Sequence, residues 1–194
     1  MELFSLKGKV IIVTGAGGLL GRQHAEIIAK AEGIPILLDI NLELISEIAK
    51  VFNSRYGINS SAYVVDITAE SEIQKNCEVI LNKYGKIDGL INNAANNPKM
   101  ENNDQRNFSR LENFPTLSWD NDLAVGLKGA FLCCKYYGKA ISMQGGSIIN
   151  ISSDLGVIAP DQRLYRIEGI AEESQPVKPI TYSVIKTGLI GLTK

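Results

Sequence analysis

The sequence is poor in the residue types that most often announce a function. It has one histidine, one tryptophan and three cysteines in 194 residues. Three is an odd number, and Cys133 and Cys134 are adjacent. That argues against a disulfide scaffold and suits reduced thiols in an intracellular, cytoplasmic setting. The lone histidine, His24, has no cluster of partners, so no metal site is expected. Neither sign of charge is in excess: 20 Lys+Arg stand against 21 Asp+Glu, a net charge of −1. No basic surplus exists to drive binding to nucleic acid or to a membrane surface. No apolar run reaches membrane-spanning length. The first nine residues lack the basic region and apolar core of a signal peptide. The marks of disorder are missing too. With 45% hydrophobic and 21% charged residues, the expectation is one domain over residues 1–194 with a sizeable core.

Short apolar runs alternate with amphipathic stretches. This is the βαβα pattern of a Rossmann-like, doubly wound parallel sheet in three layers. The spacing predicts strands near 9–14, 34–39, 62–66, 87–92 and 147–152. Helices are expected near 20–31, 42–52, 69–84 and 118–143, with another beginning at 182. Two connections, 96–115 and 154–181, show no apolar period and read as long exposed loops, which are often functional. No internal repeat or low-complexity linker appears.

The loop Thr14-Gly15-Ala16-Gly17-Gly18-Leu19-Leu20-Gly21 falls between a predicted strand and a predicted helix. Glycine permits a tight turn there. It also lets backbone N–H groups approach a pyrophosphate at a helix N-terminus, where the dipole favours negative charge. Asp39 ends the second strand eighteen residues beyond Gly21. Its carboxylate suits the ribose diol of NAD and would repel the 2′-phosphate of NADP. A simpler role is to cap the following helix. Asp66, closing the third strand, has the same two readings, with adenine as the ligand. The fingerprint context favours the cofactor role at both.

With these residues in place, the chain resembles the short-chain dehydrogenase/reductase family along essentially its whole length. Asn92-Asn93-Ala94-Ala95 resembles the family's Asn-Asn-Ala-Gly segment. Leu127-Lys128-Gly129-Ala130-Phe131-Leu132 is similar to its central-helix segment. Asn150-Ile151-Ser152-Ser153 resembles the strand ending in the active-site serine, and Tyr182-Ser183-Val184-Ile185-Lys186 matches Tyr-x-x-x-Lys. Within the family, the general likeness is to bacterial flagellin-modification-type oxidoreductases. The resemblance implies cofactor contacts at Gly15, Gly18, Leu19, Leu20, Asp39, Asp66, Ile67, Asn93, Ala94 and Ile151, with Tyr182 and Lys186 reaching the cofactor as well. It also implies a dimer or tetramer in the full-length form.

Residues four apart share a helix face, so Tyr182 and Lys186 can point into one cleft. An ammonium beside a phenol favours the phenolate, which equips a tyrosine for acid–base work on a carbonyl/hydroxyl pair. By resemblance Lys186 also holds the nicotinamide ribose, and Ser153 polarises the substrate oxygen.

The chain departs from the family pattern in three places. Gly126 stands where the family has the asparagine of its catalytic set. Gly126 still offers a carbonyl and permits a kinked helix, so Gly126→Asn is expected to leave activity broadly intact. Gly15, Gly18 and Gly21 fit the Gly-x-x-Gly-x-x-Gly of the family's extended branch, whereas the classical branch has glycine at the position of Leu19. Ser153 and Tyr182 are 29 residues apart, more than the classical branch shows. The reading is a classical-type member with a long insertion before Tyr-x-x-x-Lys. Tyr165 has Gly169 four residues on and is a poor catalytic candidate. His24, Cys133, Cys134 and Trp119 read as packing residues. Lys99, Arg106 and Arg110 suit either an anionic substrate or a solvated loop, and the loop is the simpler reading.

The expected activity is NAD-dependent hydride transfer between nicotinamide and a secondary alcohol or ketone on a small molecule, with sugar-like substrates among the candidates. Two alternatives stay open. One is transient hydride chemistry, as in nucleotide-sugar epimerases and dehydratases. The other is a non-catalytic NAD-binding protein. Family chains usually continue past the Tyr-x-x-x-Lys helix into two further strands. The chain is therefore expected to lack those last two strands and to be C-terminally incomplete, with weaker cofactor binding and turnover of its own.

Overall fold

The computed structural model describes residues 4–96 and 109–194. The chain divides into two compact units: Met1–Ala94 with Gly129–Ile151, and Ala95–Lys128 with Ser152–Lys194.

The first unit is the sheet. Strands β1 (Val10–Thr14), β2 (Ile34–Asp39), β3 (Ser61–Val64), β4 (Gly89–Asn92) and β5 (Ser147–Asn150) are joined by helices α1 (Leu19–Lys30), α2 (Leu42–Tyr56) and α3 (Glu70–Tyr84), with α5 (Ala130–Ser142) leading into β5. The strand order is β3-β2-β1-β4-β5, and every pair is parallel. The chain reverses its direction of travel across the sheet after β3. Right-handed crossovers then put α1 and α2 on one face and α3 and α5 on the other. The helices pack in those pairs. This is a Rossmann-like α/β architecture, and it has five strands among the described residues.

Burial on both faces explains why β1 and β2 are continuous apolar runs without alternation. Val13, Leu37 and Ile91 meet Ala25, Ile28, Ile45, Ile48 and Phe52 in one cluster. Each such side chain contributes about 1.5–3 kcal/mol on burial. Under the opposite face, Tyr137 is fully buried and its hydroxyl donates to Asn76 Oδ1 at 2.8 Å. Burial also pushes the thiols of Cys77 (to about 11), Cys133 and Cys134 upward. All three are free cysteines, with the chemistry of packing residues.

The second unit contains α4 (Thr116–Leu123), most of the π-helical stretch Ala124–Gly129, and α6 (Ile180–Thr193), together with four one-turn 3-10 helices among the described residues. Helix α6 packs closely on the π stretch in two places. A Cβ on Gly126 would lie 2.8 Å from Ile185 Cγ2, and one on Gly188 would lie 2.9 Å from Leu127 Cδ1. Each helix therefore presents a glycine to the other's large apolar side chain. At the start of α6 the buried Thr181 hydroxyl donates to Asp122 Oδ2 at 2.7 Å. The irregular connection before α6 is gathered around Gln175. Its amide nitrogen donates to the carbonyls of Ile167 (3.0 Å) and Ile170 (2.7 Å), and its oxygen accepts the Ile167 N–H at 2.8 Å.

Candidate functional site

In the first unit the glycine turn leads from β1 into α1. Gly15 adopts φ +62°, a left-handed conformation that glycine takes without steric cost. A Cβ on Gly21 would lie only 2.1 Å from the Gly15 carbonyl oxygen, and one on Gly15 would lie 2.9 Å from Ala94 Cα. The turn is thus closed by backbone against backbone. Gly18 is the N-cap of α1 and offers no side-chain cap, and the first turn of α1 has no acidic residue. The side chains of Leu19 and Leu20 are exposed there.

Three strand ends hold the turn. The Thr14 hydroxyl accepts the N–H groups of Asn93 (3.0 Å) and Ala94 (3.1 Å). The Asn93 amide donates to the carbonyls of Thr14 (2.9 Å) and Gly15 (3.2 Å). Asp39 accepts the Gly17 N–H on Oδ2 at 2.9 Å and the Asn41 N–H on Oδ1 at 3.1 Å. The helix after β2 is capped by Asn41, whose side chain accepts from the Leu44 N–H. Asp39 is therefore not the cap of that helix. Asp66 Oδ1 accepts both the N–H (2.8 Å) and the hydroxyl (2.7 Å) of Thr68. Ile67 is buried, and its side chain lies where a Cβ on Gly129 would meet it at 2.7 Å. Ile151 continues the β5 edge, donating its N–H to the Asn92 carbonyl at 3.0 Å. Thr14 is a positioning residue that periodicity could not reveal, because within a strand it reads only as a β-branched filler.

In the second unit, Tyr182 is half-buried and Lys186 buried on α6. Lys186 Nζ stands 5.6 Å from the centroid of the Tyr182 ring. Ser153 caps the 3-10 turn Asp154–Gly156, accepting the Leu155 N–H at 3.2 Å and donating to Asp154 Oδ1 at 2.7 Å. The Ser153 hydroxyl and the Leu155 N–H together hold the exposed Asp154 carboxyl below the usual carboxylate range. That turn is fastened to α6 at the level of Lys186. Ser152 Oγ donates to the Lys186 carbonyl and Thr187 Oγ1 to the Gly156 carbonyl, both at 2.8 Å. A Cβ on Gly156 would lie 2.9 Å from the Lys186 carbonyl carbon.

Sequence reasoning missed Lys178. Its Nζ lies over the Tyr182 ring, 4.0 Å from the centroid. Burial lowers the pKa of Lys178, and burial followed by the neighbouring Lys178 charge lowers that of Lys186. Nothing in the Val177-Lys178-Pro179 segment signals this placement. Arg110 is ion-paired with Glu112 at 2.7 Å. Lys99 and Arg106 lie outside the described residues, as does most of the 96–115 loop.

Gly126 sits within the π-helical stretch. The close approach of Ile185 revises the expectation for Gly126→Asn. The new side chain would displace Ile185 before any effect on a relay could be read. Among the described residues, no group of His, Cys, Asp and Glu side chains could hold a metal ion, and no helix is long and apolar enough to cross a membrane.

Residues 9–165 match the family described as short chain dehydrogenase. Among curated proteins, the chain is 32% identical over 162 residues to an NAD-dependent glycerol dehydrogenase of Listeria innocua, covering 83% of this chain and 59% of that one. It is 32% identical over 196 residues to a 3-oxoacyl-acyl-carrier-protein reductase of Aquifex aeolicus, covering 100% and 68%. The structure of an NAD+-bound xylitol dehydrogenase superposes with a TM-score of 0.79 at 27% identity, covering 97% of this chain and 63% of that one. The chain thus spans 59% to 65% of the length of three curated relatives that it matches. With the parallel sheet, the glycine turn and Tyr-x-x-x-Lys in one chain, and a family match over most of its length, the protein belongs to the short-chain dehydrogenase family.

Proposed function

We propose that the chain carries the dinucleotide-binding and acid–base residues of an NAD-dependent oxidoreductase acting on a secondary alcohol or ketone of a polyol or sugar-like molecule. The observation that carries this reading is the Tyr182–Lys186 pair on one face of α6, with the Ser153 turn fastened to the same helix. The names of relatives support the substrate class: glycerol and D-threitol dehydrogenases among curated proteins, and xylitol dehydrogenase among solved structures.

The glycine turn fits a dinucleotide. Its cradle is one that a Cβ would fill, and the α1 N-terminus has no side-chain cap to compete with an anion. Gly15, Gly18, Leu19 and Leu20 would line the pyrophosphate. Asp39, already held by the Gly17 and Asn41 N–H groups, would take the ribose diol and disfavour a 2′-phosphate. Asp66 and Ile67 would meet the adenine, and Asn93, Ala94 and Ile151 the nicotinamide half. When bound, the cofactor supplies the acceptor for the hydride that leaves the carbinol carbon. Tyr182 takes the hydroxyl proton in that direction and returns it in the other. Lys186 supplies positive charge beside the phenol and a donor to the ribose, and Ser153 steadies the substrate oxygen. For Ser153 this requires its hydroxyl to turn away from Asp154. The free thiols fit a reducing, cytoplasmic compartment. Pairing of copies into a dimer or tetramer belongs to the same proposal.

The test is NADH formation from a panel of polyols and secondary alcohols. Tyr182→Phe should lower turnover by at least about 100-fold while NAD binding, followed by calorimetry, persists. Unchanged turnover in Tyr182→Phe would overturn the acid–base assignment. Substrate conversion without net NADH would assign the protein to transient hydride chemistry instead.

A further inference from the structure

Ser153 is the hydroxyl expected to meet the substrate oxygen, and its own hydrogen bonds decide what it can offer. A serine hydroxyl has one proton and two lone pairs. The proton goes to Asp154 Oδ1 at 2.7 Å. One lone pair takes the Leu155 N–H at 3.2 Å. The second lone pair is what is left to face a ligand. As it stands, Ser153 is an acceptor and not a donor.

Asp154 makes this so. Its Oδ1 takes the Leu155 N–H as well, at 2.8 Å, so carboxyl, hydroxyl and amide close one small ring of bonds. A bond from a hydroxyl to a carboxylate is charge-assisted and stronger than one to a neutral oxygen. The lowered pKa of Asp154, owed first to the Ser153 hydroxyl, is the same bond seen from the carboxyl. The ring stands on a fixed base. Ser152 Oγ and Thr187 Oγ1 tie the two ends of the turn to α6, each with a bond of 2.8 Å. An alcohol and a ketone ask different things of such a group. A carbinol has an O–H to donate, whereas a carbonyl oxygen can only accept. The resting Ser153 answers the first. It offers nothing to the second until its proton leaves a carboxylate for a neutral oxygen.

We propose that Asp154 sets the hydrogen-bond polarity of Ser153, so that the resting site receives the alcohol of the redox pair in preference to the ketone. The inference rests on the oxidoreductase reading above and deepens it by naming which member of the pair the free site selects. The reaction itself needs the opposite polarity at Ser153. The carbinol proton must turn to Tyr182, and the Ser153 proton to the substrate oxygen. Asp154 therefore favours alcohol binding and opposes the step that follows. It is a positioning residue, acting on the substrate through Ser153.

The test measures the binding of glycerol and dihydroxyacetone, one skeleton with a carbinol or a carbonyl at its middle carbon. Saturation-transfer NMR without cofactor gives both dissociation constants, and nothing turns over. The wild type should bind glycerol more tightly. Asp154→Ala should shift the ratio of the two constants about fivefold toward dihydroxyacetone, the size of one exposed charge-assisted hydrogen bond. Asp154→Asn, which keeps the shape and loses the charge, should shift it less and in the same direction. In a Ser153→Ala background, Asp154→Ala should leave the ratio unchanged, which a purely structural role of the turn would not produce. An unshifted ratio in Asp154→Ala, the same shift without the Ser153 hydroxyl, or no binding of either probe to the wild type would overturn the proposal. Circular dichroism checks that each variant folds, and Asp154→Asn carries the test if Asp154→Ala does not. Neither cofactor nor Tyr182 takes part, so this test can fail while NADH formation from alcohols succeeds, and the reverse.

Discussion

The glycine turn of the first unit and the Tyr182 helix of the second are held by different means. The turn is fixed by the ends of strands. Asp39 at the end of β2 and Asn93 just past β4 bond to backbone at the turn, and Thr14 at the end of β1 holds the Asn93 and Ala94 N–H groups. Strand register decides where those side chains stand, so the turn inherits its geometry from the sheet. Helix α6 is held from within its own unit. It is set by a buried Thr181–Asp122 bond, by two glycine-to-side-chain approaches, and by a connection gathered on Gln175. A site on strand ends shares the rigidity of its core, whereas a site on connections depends on its own fasteners. Damage to the first should then be abrupt, and damage to the second graded and reparable.

The largest effect is expected at Gly21. Its missing Cβ would stand 2.1 Å from a backbone oxygen, and both chains at that contact belong to the closed turn. Gly21→Ala should cost more than about 3 kcal/mol in urea unfolding, because neither backbone can yield without disturbing β1 or α1. An unchanged midpoint would show that the turn is softer than its contacts imply.

Gly126 gives the contrasting case. The atoms its Cβ would meet belong to the Ile185 side chain, Cγ2, Cδ1 and Cγ1, and not to backbone. Gly126→Ala should cost about 1–3 kcal/mol by overpacking. Combined with Ile185→Ala, the total should fall well short of the sum of the two single changes, because the second removes the atoms that the first displaces. Strict additivity would mean that α6 and the π stretch do not meet as described. Gly126→Asn then becomes informative about turnover only in the Ile185→Ala background.

The same contrast explains how much could be read from the residues. Strands, helices and their order were legible because a short continuous apolar run and an apolar period of 3.6 are local properties. Asp39 and Gly21 were legible because a fixed spacing after a strand has a mechanical cause. The Tyr182–Lys186 pair was legible because four residues make one helical turn. The helix-cap reading of Asp39 was not eliminated by sequence, since Asp39 and Asn41 are equally good capping residues before the same helix and only the structure shows that Asn41 takes the role. Lys178, Gln175 and Ser152 left no trace. Each lies in an irregular stretch, and each takes its meaning from a partner whose spacing follows no period: Tyr182, Ile167 and Lys186 respectively.

The smallest effect separates the two units by acid. Asp88, just before β4, takes the Val10 N–H at 2.9 Å and the ammonium groups of Lys9 and Lys86 at 3.0 Å each. Burial pushes its pKa up, but those bonds outweigh it and hold the carboxyl below its ordinary value. The unfolded chain therefore binds this proton more readily. The stabilisation is fully present above the unfolded value of about 3.9 and is lost as pH falls through the lower folded value. Asp88→Asn should cost about 1 kcal/mol at pH 7, and the difference from wild type should shrink as unfolding is repeated below about pH 4. Asp154, held low chiefly by the Ser153 hydroxyl, shows the same direction on an exposed turn. Asp154→Asn should leave the global midpoint unmoved and release the Ser153 hydroxyl. If Asp88→Asn were equally destabilising at pH 3 and pH 7, the ion pairs at the foot of the sheet would not be what ties that end together. The turn that carries Ser153 would then be no more local in its effects than the strand that carries Asp88.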